Sequence, residues 1–185
     1  MVGPSQDASL ASLSLSEFLA KVASTAEPVP AGGSVAALTG AASAALLVLA
    51  CGVLQRHRAE GVTQVQERAA KLQQRLLDLV DEDAQAFQAF LKMKRSGTQT
   101  VAIVRRTSHT PLQIGGACAD VVELSRHVEA LPRIGAILGD VRAARHLAQA
   151  ALASAIDIAE QDIGLHTDLS EQQAMRDAIA ELRRR

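Results

Sequence analysis

The chain has no tryptophan and no tyrosine, and only three phenylalanines in 185 residues. There is therefore no aromatic platform on which nucleobases would stack. An excess of charge of either sign is also missing: 19 Lys and Arg against 20 Asp and Glu leave a formal net charge of −1. No strong field draws in nucleic acid or an anionic membrane, and neither is expected as a partner. Only two cysteines occur, Cys51 and Cys118, far apart and without CxxC spacing. Both sit among small apolar residues and read as reduced, buried thiols in a reducing, cytoplasmic compartment. The five histidines (His57, His109, His127, His146 and His166) show neither HxxxH nor HExxH spacing, so no metal site is expected. The opening "MVGPSQDASLASLS" lacks the basic and apolar segments of a signal peptide. Residues 1–12 are expected to form a disordered leader, and 13–185 a single domain.

What the chain does have is helix-forming residues: Ala, Leu, Gln, Glu and Arg dominate. Its length allows a sizeable core. No convincing strand pattern and no internal repeat occur. The expected fold is all-α, a single-domain antiparallel bundle of several helices around a central, buried, Ala-rich helix.

That central helix is the most unusual stretch. No charged residue occurs between Glu27 and Arg56. About twenty such residues suffice to cross a bilayer. About half of Val35 to Leu54 is Ala, Gly, Ser or Thr, however, and these partition poorly into lipid. Small residues instead let backbones approach closely, as a core helix or a dimer contact requires.

Around it the pattern predicts further helices. Ser14 to Glu17 has the form of a capping box, opening a short helix over Leu15 to Ser24 that buries Phe18, Leu19 and Val22. Val62 to about Lys94 reads as one long amphipathic helix. A shorter piece, Thr98 to Arg106, follows. Pro111 suits the first turn of the next helix, whose stripe runs Ile114, Cys118, Val121, Leu124 or Ser125, and Val128. Pro132 and Gly135 interrupt it. Gly139 to Ile163 gives another Ala-rich helix, and Thr167 to Arg185 a charged one capped through Ser170 and Gln173.

One carboxylate breaks the pattern. At about 100° per residue, Leu76, Leu79, Val80, Phe87 and Phe90 all fall within about 60° of Asp83. Asp83 thus lies on the apolar stripe, whereas Asp78 and Asp81 point away as solvated surface and Glu82 lies on the flank. A core-facing carboxylate costs several kcal/mol unless paired or hydrogen-bonded. It is either a structural Asp held by an Arg, a hydroxyl or another helix's N-terminus, or a cleft group of raised proton affinity that serves as acid, base or counter-ion.

Three blocks, "EPVPAGGSVAALTGAASAALLVLACGV", "LLDLVDEDAQAFQAFLKMKR" and "TPLQIGGACADVVELSRHVEALPRIGAILGDVRAARHLAQAALASAIDIAEQDI", carry a resemblance in the same order. They resemble the folate-processing cyclodeaminase/cyclohydrolase family, which includes the C-terminal domain of formiminotransferase-cyclodeaminase. The resemblance spans about Leu15 to Asp168. It implies an all-helical homodimer acting on one-carbon tetrahydrofolates, with no cofactor beyond the tetrahydrofolate substrate. Its members release ammonia from the 5-formimino form to give the 5,10-methenyl form, or add water to the latter. The family's catalytic aspartate falls on Asp83, and its second Asp on Asp140. The turn Gly32-Gly33-Ser34, at a helix N-terminus, offers backbone N–H groups to an anion or a pterin edge. Both reactions pass through a cationic carbon between two nitrogens, which a poised aspartate stabilises or serves with protons.

The chain departs from the family pattern at several positions. Ala31 replaces the first glycine of the turn, Ile134 replaces an Asn, and the late Asn-Val-x-Ile-Asn motif becomes Ile158 to Asp162. These losses leave a second expectation open, a non-catalytic homodimeric paralogue that serves as a binding or interaction module.

Overall fold

The computed structural model describes residues 9–57, 61–98, 100–131 and 135–185. Most of the expected leader, together with Arg58, Pro132 and Ile134, lies outside the described residues. Six α-helices follow in order: α1 (Leu15–Val22), α2 (Gly32–Arg56), α3 (Val62–Ser96), α4 (Val101–Glu129), α5 (Leu138–Asp162) and α6 (Leu169–Arg184). Three 3₁₀ turns, Leu10–Ser12, Gly135–Ile137 and Ile163–Leu165, complete the regular structure, with no strand among the described residues.

Helices α2 to α5 form the bundle, and short connections make successive helices antiparallel neighbours. Helix α2 packs on α3, α4 and α5, which places it at the centre. Its small residues explain how. A Cβ added at Gly40 would lie 2.7 Å from the Cys118 sulfur and 3.1 Å from a Leu76 methyl, so only glycine lets α3 and α4 come this close. Across the other face, Ser43 Oγ donates to the Ala144 carbonyl of α5 at 2.6 Å. There the buried alanines of α2 meet Ala144, Ala148, Ala151, Ala155 and Ala159. Fully buried Leu47, Leu76, Leu79 and Ile114 fill what remains. Each contributes roughly 1.5–3 kcal/mol by leaving water. Helix α2 is long and apolar enough to cross a membrane by length and composition, but half of its most apolar window is buried inside the bundle.

The capping box at Ser14 forms as expected, with Ser14 and Glu17 serving each other's backbone donors. Phe18 is buried, but Leu19 is 53% exposed beside the equally outward Leu15. A helix of only two turns presents one row to the core. Asp81, expected as solvated surface, instead accepts from Ser9 Oγ (2.5 Å) and the Leu10 amide (2.6 Å). It thereby anchors the last part of the expected leader onto α3.

Two boundaries differ from expectation. The piece ending at Arg106 and the helix expected from Pro111 are one continuous helix, with Pro111 inside it. The missing N–H leaves the Thr107 carbonyl without its helical donor, at a cost of about 3 kcal/mol. Around it the Thr107, Ser108 and Thr110 hydroxyls donate to carbonyls one turn back, and the buried stripe from Val104 to Val128 holds both halves in line. Helix α6 is capped by Asp168, which accepts from the Ser170 amide at 2.8 Å, and not through Ser170. Ser170 already lies inside the first turn.

Candidate functional site

The up-down order brings the start of α2, the second half of α3 and the end of α5 to the same end of the bundle. Helix α2 begins with Ala31 as its N-cap residue, which has no side chain able to accept a hydrogen bond from the first turn. The acceptor comes from α3 instead. Ser34, fully buried, donates its hydroxyl to Asp83 Oδ2 at 2.7 Å, and its backbone amide also favours the ionised carboxylate. Gly33 makes room for this. A Cβ there would lie 2.6 Å from Asp83 Cγ and closer still to one oxygen, so any side chain would expel the carboxylate. Gly33, Ser34 and Asp83 therefore form one unit.

The third element is α5. A Cβ on Gly32 would lie 3.4 Å from Ile158 Cδ1, so the Ile158 face of α5 rests against the α2 turn. Asp162 is one helical turn further along that face. It is half-buried, has no hydrogen-bond or ion-pair partner among the described residues, and ends its helix. Burial, then the negative charge of Asp83, push its carboxyl up to about 6. Burial also raises Asp83, against the opposing pull of the Ser34 hydroxyl and amide. Two carboxylates thus share a part-buried niche with no cation paired to either among the described residues.

The end of α5 is held in place by a buried pair. Ser108 Oγ lies 2.7 Å from His166 Nε2, tying the turn after α5 to α4. Ser108 is fully buried and so serves as an anchor, not as a nucleophile. The thiols are equally inert: burial pushes Cys51 up to about 11 and Cys118 to about 12. Among the described residues no group of three or more metal-ligating side chains occurs.

Beside this niche runs an open groove of about 660 Å³ between α2 and α5. Val35, Thr39, Ala150 and Ser154 line its length, and Gly32 and Ile158 stand at the carboxylate end. Neither Asp83 nor Asp162 lines it. The volume falls in the range of small-molecule sites.

The structure therefore brings together Gly32, Gly33, Ser34 and Asp83, and separates Asp140 from them. Asp140 is exposed in the first turn of α5. Twenty-two helical steps, about 33 Å, separate it from Asp162. Arg56 and His57 are exposed at that same far end of the bundle. Asp162 is the candidate that sequence reasoning missed. It stood in the altered late motif, four residues after Ile158, but only the packing of α5 on α2 shows which carboxylate it faces.

Residues 14–181 match the family model described as formiminotransferase-cyclodeaminase. Among solved structures, the chain is similar to the crystal structure of formiminotetrahydrofolate cyclodeaminase from Thermotoga maritima, with a TM-score of 0.79. The match has 20% sequence identity and covers 93% of this chain and 89% of that one, which speaks for the fold. No curated protein matches the chain.

Proposed function

Because the chain belongs to the formiminotransferase-cyclodeaminase family, we propose that it is a one-carbon folate enzyme whose reacting carbon is served by Asp83. The substrate is a tetrahydrofolate derivative, either the 5-formimino form, which loses ammonia, or the 5,10-methenyl form, which gains water. The observation that carries this reading is the niche itself. Gly33 admits a part-buried carboxylate that no cation among the described residues compensates, beside a groove of ligand size. A carboxylate so placed suits a cationic amidinium-like carbon, because a positive ligand relieves its burial. Gly32 and the first turn of α2 face the same groove and offer backbone donors to a pterin edge or an anion.

We also propose that the enzyme works as a homodimer in the cytoplasm, with no further cofactor. The outer face of α2 supports the dimer: it is uncharged and leaves Leu49 52% exposed. Analytical ultracentrifugation tests it, and a monomer at micromolar concentration would remove that part of the proposal.

The test of the activity follows methenyl-folate absorbance with purified protein, in a spectral window left clean by the absence of Trp and Tyr. Asp83→Asn keeps an acceptor for Ser34 and is expected to fold. Its turnover should fall by roughly 10²–10⁴-fold, the usual effect of losing an acid–base group. Undiminished turnover would remove Asp83 from the mechanism.

A second reading has one observation in its favour. Asp83 also supplies the cap that α2 lacks, as a carboxylate in a non-catalytic paralogue would. Calorimetry with several tetrahydrofolates separates the two, since an interaction module without a folate site gives no saturable heat.

A further inference from the structure

We infer that Asp83 and Asp162 work as a pair sharing a single proton, with Asp83 the ionised member and Asp162 the acid, and that this pair is matched to ammonia release and not to water addition. The inference rests on the folate reading for its substrate and on geometry for the pair.

The geometry comes from three helices meeting at one point. Gly33 allows the Asp83 carboxylate into the first turn of α2. Ile158 of α5 packs on neighbouring Gly32, and Asp162 follows one turn later on that face. The environments of the two acids differ in sign. Asp83 receives the Ser34 hydroxyl at the positive end of α2, which favours its ionised form. Asp162 stands at the negative end of α5 with no donor among the described residues, which favours its protonated form. Paired acids pushed apart in this way divide into acid and base. Burial first, and then the charge of Asp83, push the Asp162 carboxyl up to about 6.

Most other charged groups near the pair are engaged, while exposed Asp157 and the Lys21-paired Glu27 line the adjoining groove. On α3, Glu82 is bonded by Arg75 at 2.5 Å and Asp81 by Ser9 and Leu10. On α5, Glu160 is paired with Arg183 at 2.9 Å, and Asp157 is exposed. Helix α2 contributes no ionisable side chain before Cys51. On α4, Arg106 donates to Gln85, and His166 beyond α5 is bonded to Ser108.

The proton balance then selects the reaction. In ammonia release the substrate is the protonated formimino group, an amidinium. Its ring-closing nitrogen attacks the one-carbon unit and gives up its N–H proton to the Asp83 carboxylate as the new C–N bond forms. Asp162 gives its proton to the departing NH₂ as the old C–N bond breaks, and NH₃ leaves. One proton is taken and one returned, the cationic charge passes from amidinium to methenyl, and the pair ends singly protonated. Water addition to the methenyl cation instead releases a net proton. It would leave the pair doubly protonated and in need of an exit to solvent in every cycle.

The test has two readouts. The first is a carbon-13 NMR pH titration of both carboxyl groups in the purified protein without folate. Asp83→Asn should lower the Asp162 midpoint toward an ordinary aspartate, whereas Asp162→Asn should leave the Asp83 midpoint nearly in place, because Asp162 is still uncharged when Asp83 loses its proton. An Asp162 midpoint indifferent to Asp83 overturns the pair, and the wild-type curves alone show the order of ionisation even if a variant fails to fold. The second readout is kinetic. Asp162→Asn should lower kcat for ammonia release by about 10²-fold and change its pH profile, while water addition falls much less. An equal loss in both reactions overturns the matching to ammonia release. Coupled titration without any folate turnover sinks the folate reading and keeps the pair. Turnover with independent titrations does the reverse.

Discussion

The two ends of the bundle treat carboxylates in opposite ways. Where α4 ends and α5 begins, Glu129 accepts from Arg142 Nε at 2.8 Å and Arg145 Nε at 3.1 Å. The Arg142 hydrogen bond, more than any other cause, holds its carboxyl below the usual glutamate range. Where α2 begins and α5 ends, Asp83 has one hydroxyl and one amide, Asp162 has neither, and both are raised. The first end is what surface electrostatics produces when only the fold is at stake. The second keeps raised carboxylates next to a ligand-sized groove, the kind of arrangement that clusters at functional sites.

The largest effect should come from closing the notch. Gly33→Ala places a methyl group inside the Asp83 carboxylate, so the acid must rotate away or α2 must shift. Overpacking of this kind costs about 1–3 kcal/mol. Misplacing a reacting group by about 1 Å costs about 10²-fold in rate. Turnover and thermal melting measured together should both fall, and an unaffected rate would show that the carboxylate need not sit in the α2 turn.

A smaller effect should come from neutralising the uncompensated end. The folded-state value of Asp162, about 6, exceeds its ordinary 3.8. Between those values the folded chain binds more protons than the unfolded one, so this group lowers stability as pH rises through the window. Asp162→Asn removes that penalty. Urea denaturation should find the variant more stable than wild type at pH 7, by on the order of 1–3 kcal/mol once partial exposure is allowed for. At pH 4 the two should be nearly equal. A difference that does not vary with pH would locate the effect in packing.

Much of this is legible in the sequence, for local reasons. The Ser14 box, the long α3 and the alanine stripe of α5 are each determined by a few neighbouring residues and by helical period. Asp83 was visible because an acid on an apolar stripe violates its own neighbourhood. What escaped depends on partners distant in sequence. Pro111 reads as a helix start locally and sits mid-helix because buried residues on both sides hold the helix together. Asp140 looked like part of the site because the resemblance implied it, and about 33 Å of α5 separate it from Asp162 within one chain. Asp162 carried no local anomaly at all, since a carboxylate at a helix end is ordinary until α5 lays it beside Asp83.

The smallest effect should come from the compensated end, and its sign is the opposite. With a folded-state value below the ordinary 4.5, Glu129 binds fewer protons folded than unfolded near that pH. Its ion pairs therefore add stability above the glutamate range and lose it as pH falls through the folded-state value. Arg142 is exposed while Glu129 and Arg145 are part-buried at the bundle surface, so the pairs are modest in worth. Glu129→Gln should lower the urea midpoint slightly at pH 7, leave it unchanged at pH 3, and leave the Asp83 and Asp162 titrations where they were. In the Asp162→Asn background the loss should be the same, because the residues lie at opposite ends of α5 and share no partner. A loss that depends on Asp162 would mean that α5 transmits strain along its length, and the two ends would then have to be treated as one electrostatic unit.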